Sequence, residues 1–122
     1  QVGSRFVASN ESSAHLKFKE AILGAAEGDT MLSLKQLTPV RLMKNKFYDE
    51  VQQAQLNFVS VEALQNLLGK GRAKKGMFEG DVENGELEIG QVSAIIKTIK
   101  PAAAIVAELW AEFNVALQHP LK

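Results

Sequence analysis

Gln1-Val2-Gly3-Ser4-Arg5-Phe6-Val7 opens the chain, and how this stretch is read decides the fold. Apolar Val2, Phe6 and Val7 around a Gly-Ser break predict a short strand that runs on toward a helix. Glycine lets the backbone approach a neighbour closely, and serine adds a small hydroxyl beside an exposed N–H. A strand needs partners, and the sequence downstream supplies too few short strands for a closed sheet. The expectation is that the partners are supplied from elsewhere. The absence of an initiator Met fits an N-terminus that starts inside an element of a larger βα-barrel.

Composition narrows the function classes. The 122 residues amount to one domain or part of one, and 46% are hydrophobic, enough for a core. Lys plus Arg number 14, as do Asp plus Glu, so no bulk charge draws the chain to nucleic acid or to an anionic membrane. With no cysteine there is neither a disulfide framework nor a thiolate nucleophile or ligand. No apolar run approaches the roughly 20 residues that span a bilayer. A cytoplasmic setting is the expectation.

Working outward, residues 8–13 (ASNESS) form a polar connection. Ser12 or Ser13 is the expected cap of a helix reaching Ala26, with Ala14, Phe18, Ala21, Ile22 and Ala25 on one face. Thr30 to Leu34 and Val40 to Met43, split by Thr38-Pro39, predict a hairpin or a pair of edge strands. A short helix follows over Phe47 to Gln55, then one capped by Ser60 with Val61, Leu64, Leu67 and Leu68 buried. Asn84-Gly85 marks a turn. Val92, Ile95, Ile96 and Ile99 predict a helix from about Ile89, interrupted at Lys100-Pro101. A last helix places Val106, Leu109, Trp110, Phe113 and Leu117 on one stripe, with Trp110 and Phe113 as core or interface anchors.

Several motifs carry less chemistry than they suggest. Residues 69–76 (GKGRAKKG) lack the phosphate-loop pattern and any interleaved aromatic, so they read as a solvated basic helix end. Glu79, Asp81, Glu83, Glu86 and Glu88 do not follow calcium-loop spacing, and no metal is expected. His15 and His119 lack triad partners and read as surface or capping residues. Gly3-Ser4 ahead of a helix is a candidate anion contact through backbone N–H groups. Gly90-Gln91, at a helix start after a turn, is a candidate approach to a planar ligand, with a glycine-softened helix start as the plainer alternative.

Taken together the pieces resemble a known family. Val2-Gly3-Ser4-Arg5-Phe6-Val7-Ala8 with Asn10-Glu11-Ser12 and Ala14-His15, then Val40-Arg41 with Lys44-Asn45, then Gly80-Asp81-Val82-Glu83-Asn84-Gly85 and Gly90-Gln91-Val92 occur in the order and spacing of the nitronate monooxygenases. These enzymes, also called 2-nitropropane dioxygenases, are close relatives of the FMN-dependent enoyl-ACP reductases of type II. The resemblance implies an α+β, mostly helical piece: the C-terminal portion of an FMN-binding (β/α)8 TIM barrel plus its helical extension. Residues 1–26 would hold the last barrel strand and the following helix, and residues 27–122 the hairpin and the helical extension near the flavin.

The same resemblance implies FMN as cofactor, with Gly3 and Ser4 at its phosphate and Gly90 and Gln91 lining its pocket. Arg5 would brace the barrel end. The family's catalytic histidine lies upstream of the Val-Gly-Ser-Arg-Phe motif, so no catalytic role passes to His15 or His119. The implied activity of the complete enzyme is oxidation of alkyl nitronates with dioxygen, with NAD(P)H-dependent enoyl-thioester reduction as the alternative. The implied partners are a small-molecule substrate and the rest of the barrel, with a homodimer left open and no nucleic acid or membrane. A reading from another class is a small non-catalytic helical interaction domain.

Overall fold

In the computed structural model, which describes residues 2–119, the opening segment is helical. α1 spans Gly3–Val7, which corrects the strand expected there; Gln1 lies outside the described residues. Tertiary contacts outweigh the apolar spacing. Arg5 Nη1 donates to Thr98 O at 2.9 Å, and Ser4 Oγ accepts from the Gly90 N–H at 3.0 Å. Those anchors hold a single turn that would not persist in isolation. Extended pairing begins just after it, where Ser9 and Lys100 form a parallel bridge and the Asn10 N–H donates to Lys100 O at 3.0 Å.

α2 spans Leu16–Leu23, and its cap is His15, whose Nδ1 accepts from the Lys17 N–H at 3.1 Å. Neither Ser12 nor Ser13 is the cap, and Ser12 Oγ instead accepts from the Ala14 N–H in the preceding turn. Phe18 and Ile22 are buried as the periodicity predicts. Lys19 is buried too, and its Nζ donates to Ser9 O at 2.6 Å and Ser12 O at 2.9 Å. A buried ammonium is tolerated only with such partners, and here it ties down the polar loop before α2.

β1 (Thr30–Ser33) and β2 (Val40–Met43) form the expected antiparallel hairpin, with Thr30 opposite Met43 and Ser33 opposite Val40. Residues 87–89 run along the other edge of β2: the Met43 N–H donates to Leu87 O at 2.8 Å and the Ile89 N–H to Arg41 O at 3.3 Å. Successive side chains of a strand point to opposite faces, so β2 divides two clusters. Met43 packs with Ala8, Phe18, Ile22, Leu87 and Ile96. Leu42 packs with Leu34, Phe47, Tyr48, Val51 and Leu64.

α3 (Lys46–Leu56) and α4 (Val61–Leu68) cover the second cluster. Ser60 caps α4 as expected, accepting from the Ala63 N–H at 3.1 Å; Val61 departs from the expected buried face and is exposed. Asn45 does more. Its Oδ1 accepts from the Tyr48 N–H at 2.9 Å, and its Nδ2 donates to Val82 O at 2.9 Å and Gly85 O at 2.8 Å.

The basic stretch becomes helical from Arg72 and ends in a π-turn over Lys74–Phe78. Lys74 and Lys75 are solvated as expected, whereas Arg72 is a staple. Arg72 donates to Leu67 O, Leu68 O and Asn84 O, and its guanidinium lies 4.8 Å from the centre of the Phe47 ring. The helix expected from Ile89 is a 3-10 turn over Gln91–Ile95, followed by extended chain. The pairing of Lys100 with Ser9 draws this segment out straight, which its β-branched residues accommodate.

α5 spans Ala102–Gln118 and starts after Pro101, as expected, with Glu11 Oε2 accepting from the Ala102 N–H at 2.8 Å. Its apolar stripe faces outward: Ile105 is buried, but Val106, Trp110, Phe113 and Leu117 are more than half exposed. Trp110 and Phe113 are therefore not anchors of this core. The described residues make an α+β fold, and their sheet is the hairpin alone; no barrel closes among them.

Candidate functional site

Ser4 and Gly90, two of the four residues singled out in the sequence, meet. The Gly90 N–H donates to Ser4 Oγ at 3.0 Å across 86 residues of sequence. A Cβ on Gly90 would lie 2.7 Å from that oxygen, so the contact requires glycine for close approach. Accepting this bond leaves the Ser4 hydroxyl proton free to donate. It also consumes the Gly90 N–H, so Gly90 serves the corner by shape and by holding Ser4.

Gly3 stands at the first position of α1 and has no atom within 4 Å of where a Cβ would be. N–H groups of a first helical turn have no partner within the helix, and Val2 provides no side-chain cap. The backbone of Gly3 and Ser4 can thus meet an anion at close range. Gln91 is exposed at the head of the 3-10 turn, next to Gly90 in the chain. The structure therefore brings the two glycine-containing pairs to one corner. Arg5 points away from it, donating to Thr98 O and Ala8 O, which fits a bracing role.

The other candidates are structural. His15 caps α2, and its ring lies so close to Gly80 that a Cβ there would sit 2.5 Å from Nδ1. His119 is exposed at the end of α5. Residues 80–85 form a clasp in which Asp81 Oδ1 accepts from the Asn84 N–H at 3.0 Å. That backbone bond, with help from Lys75, holds the Asp81 carboxyl below its usual range. Gly85 and Gly76 cross so closely that a Cβ on Gly85 would fall 2.1 Å from the Gly76 Cα. No cluster of metal-ligating side chains occurs among the described residues.

One buried acid escaped the sequence reading. Glu86 is 7% exposed, and burial pushes its carboxyl up to about 7, reinforced by Glu88. Arg72 is near but committed to three carbonyls. The alternation Glu86-Leu87-Glu88-Ile89 was the available signal, since period two places both carboxylates on one face.

The sequence model of the nitronate monooxygenase family matches residues 1–112, nearly the whole chain. The chain belongs to that family. A comparison with curated proteins returned no match. Among solved structures, FabK from Thermotoga maritima superposes with a TM-score of 0.85 at 30% identity, over 95% of this chain and 37% of that one. Its M276A mutant gives a TM-score of 0.76 at 29% identity, over 95% and 34%. The chain thus spans little more than a third of the length of these relatives. Members of the nitronate monooxygenase family are flavin-dependent oxidoreductases. No helix among the described residues is long and apolar enough to cross a membrane.

Proposed function

We propose that this chain is the C-terminal part of an FMN-dependent oxidoreductase of the nitronate monooxygenase type, and that Gly3 and Ser4 hold the flavin phosphate. One observation carries the reading: an open glycine and a hydroxyl with a free proton stand side by side, fixed by the distant Gly90 N–H. Backbone N–H groups at the start of a helical turn, together with a hydroxyl, fit a phosphate and need no cation. FMN, when bound, supplies the electron-transfer chemistry, and the protein supplies position and surroundings.

The residues here bind and orient. Ser4 would donate its hydroxyl proton to a phosphate oxygen, and the Gly3 backbone would approach without a side chain in the way. Gly90 keeps the Ser4 side chain aimed, and exposed Gln91 would offer an amide to the pocket edge. The remaining barrel would bring the substrate-facing groups, including a proton-accepting histidine. Oxidation of an alkyl nitronate with dioxygen is the favoured activity, supported by the family match over residues 1–112. The second reading, enoyl-thioester reduction, is supported by the likeness to FabK at 30% identity. A cytoplasmic location fits either.

The test joins this segment to the N-terminal barrel portion of a relative and measures bound flavin by its visible spectrum. Ser4→Ala should weaken FMN binding severalfold. Turnover of a nitronate with oxygen, set against an enoyl thioester with NADH, separates the two activities. A folded, joined protein that takes up no flavin would sink the reading.

A further inference from the structure

Glu86 takes no part in the Ser4–Gly90 corner, and it lines a cavity of about 380 Å³ beside the hairpin turn and α4. The bridge between Leu42 and Glu88 sets Glu88 on the Leu42 face of β2, and period two puts Glu86 on that face as well. The surroundings there are apolar: Leu34, Leu37, Val40 and Leu68 supply most of the cavity wall. Glu86 is only 7% exposed, and the group that its carboxyl meets is a second acid, Glu88. A carboxylate so far from water calls for a positive partner. The ion pairs among the described residues join other groups, Lys74 to Glu79, Lys75 to Asp81 and Lys100 to Glu108. Arg72 spends its N–H groups on the carbonyls of Leu67, Leu68 and Asn84.

We propose that this cavity binds a small primary alkylammonium ion, with the charged head between Glu86 and Glu88 and the alkyl chain along Leu34, Val40 and Leu68. The site goes beyond the function proposed above and does not depend on it. A metal ion fits poorly. Hard cations take roughly six or more oxygen ligands, and no third metal-ligating side chain joins the two carboxylates. An ammonium group needs only acceptors for its N–H donors, which two carboxylates and water at the mouth provide. The hydrocarbon wall then serves the chain, each buried methylene tightening binding about fourfold. A cavity of about 380 Å³ lies at the small end of ligand pockets, so the chain is short.

Without the cation, the pair holds a proton instead. Burial, and then Glu88, pushes the Glu86 carboxyl up to about 7, against the pull of Arg72. The hairpin and α4 line the cavity with uncharged side chains, so Glu88 and Arg72 are the charges that act on Glu86 there. The ammonium ion and the proton therefore compete for one place, and binding near neutral pH sends a proton to solvent.

Calorimetric titration of the intact protein with n-butylammonium chloride is the test. Saturable binding should tighten about tenfold between about pH 6 and about pH 8 as the pair loses its proton. At about pH 7 the heat should differ between phosphate and Tris buffers by the ionisation of about half a proton per ion bound. Glu86→Gln should weaken binding by about tenfold or more. Glu88→Gln should do the same, and because Glu88 is exposed this variant decides the matter if Glu86→Gln does not fold. Ethylammonium, with two methylenes fewer, should bind more weakly. No saturation at millimolar concentration, or an affinity that both variants keep, overturns the site. Potassium that displaces butylammonium at equal concentration overturns the alkyl assignment. Bound flavin should be the same in parent and variants, so a failure here leaves the phosphate corner standing.

Discussion

Ser4 Oγ and the Gly90 N–H lie 3.0 Å apart with 86 residues of chain between them, and this bond closes the candidate phosphate corner. Ser4→Ala should cost about 1 kcal/mol of stability, the usual net worth of one hydrogen bond. Gly90→Ala should cost about 1–3 kcal/mol, because its new Cβ meets the hydroxyl at 2.7 Å. The double variant should be less destabilised than the sum, since removing the oxygen relieves the overlap. Urea denaturation of all four proteins measures the coupling, and strict additivity would break the link.

The Glu86 carboxyl sets a pH dependence. Its native pKa is raised from 4.5 to about 7, chiefly by burial and then by Glu88. A native state that holds the proton more tightly loses stability as pH rises. The contribution is complete below about 4.5 and falls away through about 7. Its size is on the order of 3 kcal/mol at most. Urea midpoints at about pH 5 and about pH 8 should therefore differ, with the acidic one higher. Glu86→Gln should flatten that difference, and an unchanged slope in the variant would assign it to another group.

Asn45 serves three backbone groups at once, the Tyr48 N–H and the carbonyls of Val82 and Gly85. Asn45→Ala should cost about 2–4 kcal/mol, a lost cap plus two carbonyls left unpaired. Asn45→Asp keeps the cap but turns an acceptor toward both carbonyls, so at neutral pH it should destabilise comparably. Thermal melts decide, and an Asn45→Asp protein as stable as the parent would refute the two-carbonyl role.

Ser93 Oγ is buried with no hydrogen-bond partner among the described residues. Its hydroxyl bears a desolvation cost that nothing returns, so Ser93→Ala should be neutral or stabilising by about 1 kcal/mol. A loss of more than that on denaturation would reveal a partner for the hydroxyl.

Local patterns reported what local forces decide. The hairpin was legible because two apolar runs flank Thr38-Pro39, and the restart at α5 because Pro101 cannot continue a helix. α1 was not, because its conformation is set by Gly90 and Thr98, far along the chain. The 3-10 turn was missed for a similar reason: Val92, Ile95, Ile96 and Ile99 keep helical spacing, yet the turn stops at Ile95 and the bridge from Lys100 to Ser9 holds the chain after it extended. Arg72 sat in a stretch read as solvated, and only the folded chain brings carbonyls to it, as it does to Lys19. For the site, Gly3-Ser4 and Gly90-Gln91 could each be read alone. Their meeting at one corner could not.

Leu42 and Met43 are joined by one peptide bond and belong to different clusters. A core substitution under α3 and α4 therefore acts first on the Leu42 cluster, on the face of β2 opposite Met43. A slip of β2 by a residue is different, because the two neighbours would exchange sides and both clusters would fail together. The hairpin is thus the one element that both clusters share, and its register holds them to opposite faces.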